Sequence, residues 1–459
     1  MDFGKYLEKC LKKRDISLNS AANMLGLNRG DLYHIIDSKR KLRPEIFKKM
    51  LETINFSDLE EKKLTKLFFE SYYGESEFRK IECFIECLNG FGENMKVRKI
   101  NVPEFHGKLA LNDNKEILSA VKYICENSET QKIITNYPFE NEKLDYLIYG
   151  FCKDKTIEKL EHIISFFIDS AEIQNYKRVF SAVKYFYEKQ FLHYYYTDGK
   201  EDALSLYPFF FTDGNRVALF NDKNGIYIED GETVEMVNKR AEKMLSDSSI
   251  LGGDMPGIFE LKDMYVESVM GGPDIYEICP IPCLMCYSDK DFFYSICRED
   301  VPNKEFLVNV ANDHYTNINN MVNYHQFMTV EGLDFLFKER ECLEMPSEYA
   351  DRIPKETLKR ILEKMYKAVE EDNLHFINTK KLNIPTCLQI EINSSGAIIN
   401  GYIFKEGEPT EKPFWTVIKN KVFIDNLKNF FDYLEKGSFF FSKETTLAYI
   451  RSRIVSLEY

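Results

Sequence analysis

The chain has no run of about 18 apolar residues, so hydropathy gives no membrane-spanning helix. Its first residues, MDFGKYLEKCLKK, lack an uninterrupted apolar segment, and a secretory leader is not expected. Seven His are dispersed, and no two stand four apart in the pattern of a zinc-hydrolase helix. A lone one such as His162, in EHIISFF, reads as a satisfied core residue. No G-x-S-x-G elbow offers a nucleophilic serine. LGGDMPG (251–257) and MGGPD (270–274) are glycine-rich, but neither ends in the Lys-Ser/Thr of a phosphate loop, so both read as ordinary loops. The paired acids Glu60-Glu61 and Glu370-Glu371 read as solvated helix faces. The eleven Cys are odd in number and scattered, which suits reduced thiols in a cytoplasmic protein better than a disulfide framework. No catalytic constellation emerges, and no cofactor is called for.

What is present is enough for two to four globular domains: 459 residues, 44% hydrophobic and 29% charged. The net charge of −13 is unevenly spread. Residues 1–56 hold 12 Lys+Arg against 7 Asp+Glu, a net of +5, which leaves −18 on the remainder. A basic head attracts phosphates and an acidic body repels them, so one end of the chain is marked for nucleic acid.

Helical spacing starts at once. Phe3, Tyr6, Leu7, Cys10 and Leu11 recur at steps of three and four and predict one buried face. Ser17 is placed to cap a second helix that turns Ala21, Ala22 and Leu25 inward, and Gly26 to end it. Asn28 opens a third helix with Leu32, Ile35 and Ile36 inward and Arg29, Tyr33 and His34 outward. Lys39, Arg40, Lys41 and Arg43 follow in a loop. Pro44 suits the first position of a fourth helix, carrying Phe47, Met50, Leu51 and Ile54. Ser57 with Glu60 forms the pattern of a capping box for a fifth, with Leu64, Leu67 and Phe68 inward.

In order and spacing, Ser17, Ala22, Gly26, Leu27, Asn28, Leu32, Ile35, Arg40 and Pro44 resemble the lambda repressor/Cro-type helix-turn-helix of the XRE family of bacterial and phage regulators. The resemblance covers about residues 3–70. It implies a five-helix DNA-binding head whose third helix enters the major groove. By position it implies that Arg29, Gly30, Tyr33 and His34 face base edges, and that Ser17, Asn28, Lys39, Arg40, Lys41 and Arg43 hold phosphates. The chain departs from the family at Ile36, where Glu is frequent, and at Ser38, where Gly is frequent. Ile36 is expected to extend the core, and Ser38 to be strained if its turn needs a positive φ.

Beyond the head, Ile81, Phe84, Ile85 and Leu88 predict a further helix, and 95–114 reads as linker. Ile117, Val121 and Cys125 predict a helix and KIITNYPF (132–139) a strand. Leu144, Leu147 and Ile148 then predict a helix and ISFFI (164–168) a strand, an α/β pattern. VALF/IYI (217–228) and CLQIEIN/AIINGYIF (387–404) each read as hairpins. Helices are expected at about 233–245, around Leu358–Val369, and from Ser442 with Leu447, Ile450 and Ile454. The expected division is a helix-turn-helix domain (1–72), a helical and α/β linker or dimerisation region (73–200) and an α+β sensor or effector domain (201–459). No internal repeat is evident.

EICPIPCLMCYS places Cys279, Cys283 and Cys286 in a C-x3-C-x2-C spacing, with Cys297 beyond. Such spacing occurs in radical iron-sulfur enzymes, and such thiolates also hold zinc. The competing reading is a buried strand between two prolines, its Cys acting as small hydrophobes. The sequence therefore points to a transcription regulator that contacts double-stranded DNA, is dimerised by its body, and senses a small-molecule or protein effector. The rivals are an enzyme or defence effector with a DNA-binding head, possessing a Cys-ligated metal, and an adaptor whose head contacts protein.

Overall fold

Six helices fill the N-terminal region: α1 (Phe3–Lys12), α2 (Leu18–Leu25), α3 (Arg29–Ile36), α4 (Pro44–Thr53), α5 (Asp58–Tyr73) and α6 (Glu75–Asn89). The computed structural model describes residues 2–89, 103–129, 132–137, 159–165, 177–179, 192–197, 206–229, 231–253, 274–319, 323–343, 345, 349–386, 388–393, 396–401, 404–405, 408–409 and 414–457.

The helix ends follow from local chemistry. Asp2, Ser17 and Ser57 each accept from the backbone N–H three residues on, and Ser57 with Glu60 completes a capping box. Gly26 ends α2 with a left-handed φ of 73°. Asn28 stands at the cap of α3 but makes no side-chain capping bond. The inward residues expected on α1 to α4 are buried, with Tyr6 and Leu51 half-buried at the rim.

The described residues of the body form a 14-stranded sheet with helices packed on it, plus a two-stranded ribbon, β14 (Phe404–Lys405) with β15 (Glu408–Pro409). Its first part comprises β1 (Lys108–Leu111), α7 (Asn114–Glu126), β2 (Lys132–Thr135), β3 (Lys159–Ser165), β4 (Leu192–Thr197), β5 (Phe209–Thr212), β6 (Val217–Phe220), β7 (Gly225–Ile228), α8 (Gly231–Ser246) and β8 (Ser249–Gly253). Its second part comprises β9 (Asp274–Ile278), a 3-10 turn (Leu284–Tyr287), α9 (Lys290–Ile296), α10 (Lys304–Asn319), β10 (Asn323–Thr329), α11 (Val330–Glu339), α12 (Lys355–Glu370), β11 (Leu374–Ile377), β12 (Leu388–Ile392), β13 (Ala397–Gly401), β16 (Phe414–Ile418), α13 (Lys421–Lys436) and α14 (Lys443–Ser456).

The two parts share one topology. In the first, β2, β3 and β4 run parallel, and β5, β6 and β7 form an antiparallel meander laid against β2. In the second, β9, β10 and β11 run parallel, and β12, β13 and β16 form the same meander laid against β9. A 16-residue helix follows each meander, α8 and α13. β8 joins the halves by pairing with both β4 and β16. This duplication corrects the reading that the chain holds no repeat. It lies in strand order and direction, which composition and periodicity do not display.

Three other expectations need adjustment. Residues 108–111 were expected in a linker but form β1, paired with β7. The strand expected at ISFFI is centred earlier, at Lys159–Ser165, and residues 166–168 lie outside the described residues. The helix expected at Leu144, Leu147 and Ile148 also lies outside them. A boundary at 200/201 would cut the first unit, because β5 pairs with β2. Both hairpins and the helices around 233–245, 358–369 and after Ser442 are found.

The head is seated on α13. The Phe69 ring meets Tyr433 (centroids 4.6 Å apart), Phe84 meets Phe430 (4.3 Å), and the Tyr73 hydroxyl donates to Asp432 (2.7 Å). On its other side α13 packs Phe431 against Tyr276 and Phe327 of β9 and β10. One apolar cluster therefore runs from the helical head through α13 into the sheet.

Candidate nucleic-acid interface

α3 is held by one buried stripe. Leu32, Ile35 and Ile36 face the helices around them, and Gly4 of α1 lies against the carbonyl ends of Ile35 and Ile36. A Cβ at Gly4 would sit 2.4 Å from the Ile36 oxygen, so glycine is what lets α1 cross this closely. Ile36 extends the core where the XRE-like pattern often carries a charge.

The opposite stripe is open. Arg29, Gly30, Tyr33 and His34 are all exposed. The Arg29 guanidinium lies 5.3 Å from the Tyr33 ring centroid and donates to its hydroxyl at 3.3 Å. That stacking orders a long cation with little enthalpic commitment, worth about 0.5–1 kcal/mol at an exposed site. Ser17, Asn28, Lys39, Arg40, Lys41 and Arg43 are exposed as well. The Ser17 hydroxyl oxygen is engaged in its cap, accepting from Ser20 N–H at 3.1 Å. Arg40 pairs with Asp31, Lys39 with Asp37 at 3.5 Å, and Lys41 donates to the Tyr72 carbonyl at 3.2 Å. These are surface pairs of small worth, which a phosphate can replace.

Ser38 adopts φ 58°, the left-handed turn in which the family pattern often has Gly. Ser38→Gly is expected to raise stability by about 0.5–1 kcal/mol by removing the Cβ strain. Thermal unfolding checks this, and a lower melting temperature would contradict it.

Glu60 forms the capping box expected of it with Ser57, but it does more than the solvated-pair reading allows. The pairing Glu60-Glu61 suggests a solvated face, yet Glu60 is buried. It accepts from the Arg14 guanidinium, from Lys13 (3.0 Å), and from both the N–H and hydroxyl of Ser57 (3.0 Å each). Arg14, Ser57 and Lys13 hold its carboxyl well below the usual carboxylate range. The signal was present as the capping-box pattern, whose Glu must fold back onto its own helix end. His162 is fully buried with Nε2 on the Tyr137 carbonyl, as expected of a core residue.

The cysteine segment departs from the buried-strand reading. β9 ends at Ile278, and the Cys follow it in a loop and the 3-10 turn. The loop is stapled down: Cys279 N–H donates to Phe327 O (3.0 Å), and the Thr329 hydroxyl to Pro280 O (3.1 Å). Gly332 admits α11 here, since a Cβ would lie 1.7 Å from the Pro280 oxygen. The structure brings Cys283 and Cys286 together with Glu277 of β9, their ligand atoms all within 4.8 Å. Cys279 and Cys297 are not in that group. The Cys279 thiol donates to Ile281 O, and Cys297 closes α9.

Around Glu277 lies a buried polar set. Glu391 stands opposite it on β12, Gln326 beside it on β10, and Gln389 one side-chain step along β12. Gln326 donates to Glu277 (2.7 Å) and to the Cys286 sulfur (3.2 Å), and Gln389 donates to the other Glu277 oxygen. The Tyr287 hydroxyl donates to the Gln326 carbonyl, which fixes which way that amide points. Burial, and then Glu277, push the Glu391 carboxyl up to about 8.

No described helix is long and apolar enough to cross a membrane. No protein-family model matches the chain, and no curated protein matches it. A solved structure of TrmBL2, described as an archaeal chromatin protein with a novel mode of DNA binding, aligns with 47% of this chain and 81% of that one, at 14% identity. Its TM-score is 0.23, too low for the likeness to carry an argument.

Proposed function

We propose that the chain is a sequence-specific, DNA-binding transcription regulator, regulatory rather than catalytic, with α3 as its reading helix. The observation that carries this is the open stripe of α3. Arg29, Tyr33 and His34 are exposed, beside the exposed cations Lys39, Arg40, Lys41 and Arg43, on a head of +5 attached to a remainder of −18. Arg29 offers the bidentate guanine contact, and the basic loop offers sequence-independent grip. One such head contacts few base pairs, so two heads on half-sites about 34 Å apart complete the proposal, with the body supplying the dimer and an effector site.

Selection from randomised duplexes with the full chain tests it. The expected result is an enriched motif with two-fold symmetry. Arg29→Ala should cost about 1–3 kcal/mol on the selected site and relax one base position, while Lys41→Ala should weaken all sequences alike and lower the salt slope by about 1. If no motif is enriched, or if Arg29→Ala and Tyr33→Ala leave enrichment unchanged, the proposal fails.

A further inference from the structure

We propose that the second sheet unit carries a site for one thiophilic divalent metal ion, zinc foremost, with Cys283, Cys286 and Glu277 as ligands and Glu391 as the fourth. The inference does not depend on the DNA-binding reading.

Position comes first. The chain leaves β9 for β10 and β11 on one side and returns by β12 on the other. β9 is thus the strand where the connections diverge. Glu277 is its penultimate residue, and the Cys segment follows directly from its carboxyl end. In open α/β sheets that crevice is where ligands bind.

Donor chemistry comes next. Two thiols and a carboxylate whose ligand atoms lie within 4.8 Å of one another are close to the spacing of roughly 3.5–3.8 Å on one tetrahedral zinc. Side-chain movements of about an ångström would close the set, and the turn carrying Cys283 and Cys286 needs no rebuilding. The mixture of sulfur and oxygen favours zinc over magnesium or calcium.

The surroundings are arranged for anions. Both N–H bonds of the Gln326 amide are spent on would-be ligands, Glu277 and Cys286, and Tyr287 locks that amide from behind. Metal ligands are oriented by such outer hydrogen bonds. Glu391 supplies a separate observation. It is 5% exposed, it stands on the same face as Glu277, and its Oε1 has no hydrogen-bond partner among the described residues. A buried carboxyl oxygen left in that state costs free energy that a bound cation would offset.

The duplicated unit shows that the fold does not itself require these groups. On the same face of the first unit, at the end of β2, the matching neighbours are Thr135, His162 of β3 and Phe211 of β5. Glutamate, glutamine and glutamate replace them in the second unit alone.

The test uses the full chain, stripped with a chelator and titrated with zinc(II) alone, bound metal being counted after gel filtration. About one equivalent is expected to be retained. The Cys283→Ser/Cys286→Ser variant should lose it, and Cys279→Ala and Cys297→Ser should keep it. Zinc should also shield Cys283 and Cys286 from alkylation in the unaltered protein, read by peptide mapping, which requires no variant to fold. Retention below a tenth of an equivalent, retention unchanged in the double variant, or alkylation of both thiols at the same rate with and without zinc would each overturn the site.

Discussion

Phe69→Ala is expected to destabilise the protein by about 3–5 kcal/mol, the range for removing a fully buried aromatic ring. The ring has no solvent exposure, and it touches five others: Phe47, Phe68, Tyr73, Phe78 and Tyr433. Those partners lie on α4, α5, α6 and α13, so they cannot all close over the vacancy together. Part of the loss is transfer free energy and part is the cavity left behind. Urea unfolding measures it, with Leu59→Ala as control, since Leu59 is 81% exposed and should change stability by less than about 0.5 kcal/mol. A loss at Phe69 of under about 1 kcal/mol would deny the packing described. Because the ring bridges head and body, the residual transition should also broaden or split.

Glu60→Gln is expected to cost about 2–3 kcal/mol. The shape is kept, but the Arg14 guanidinium, itself only partly exposed, loses its anion. Lys13 adds little, being mostly exposed. The reciprocal cap of α5 is weakened as well. The pH dependence carries the sign. The folded carboxyl is held below its unfolded value near 4.3, so its stabilisation is complete above about pH 5. It drains away as the pH falls toward the folded value. Wild type and Glu60→Gln should therefore differ by a constant amount from pH 5 to 7 and converge below about pH 4. A gap that persists at low pH would assign the loss to packing instead of charge.

Much of the helical head was legible because its signals are local. Caps at Ser17 and Ser57, Pro44 at a helix start and Gly26 at a helix end each act within a turn. Even the departure at Ser38 was readable, since one φ value decides it. The hairpins β6/β7 and β12/β13 were legible for the same reason. What sequence spacing did not display was pairing at long range. β1 pairs with β7 over more than a hundred residues, and β12 pairs with β9 on the far side of two other strands. The cysteine cluster failed as a spacing argument for that reason. Its proposed oxygen ligands arrive from two strands: Glu277 lies beside Cys283 and Cys286, and only register sets Glu391 opposite Glu277. The capping box of Glu60 was legible, but its solvated-pair reading failed because an acidic pair says nothing about which member turns inward.

α13 has the head on one flank and β9 and β10 on the other. A helix shared in this way makes any event that tilts or shifts it common property of both sides. If occupancy beneath β9 changed the affinity for a duplex by some factor, holding the duplex would change the affinity of that occupant by the same factor. Promoter DNA would then act as an effector of the body as surely as the body acts on DNA, and a regulator resident on its operator would differ in ligand sensitivity from one free in solution.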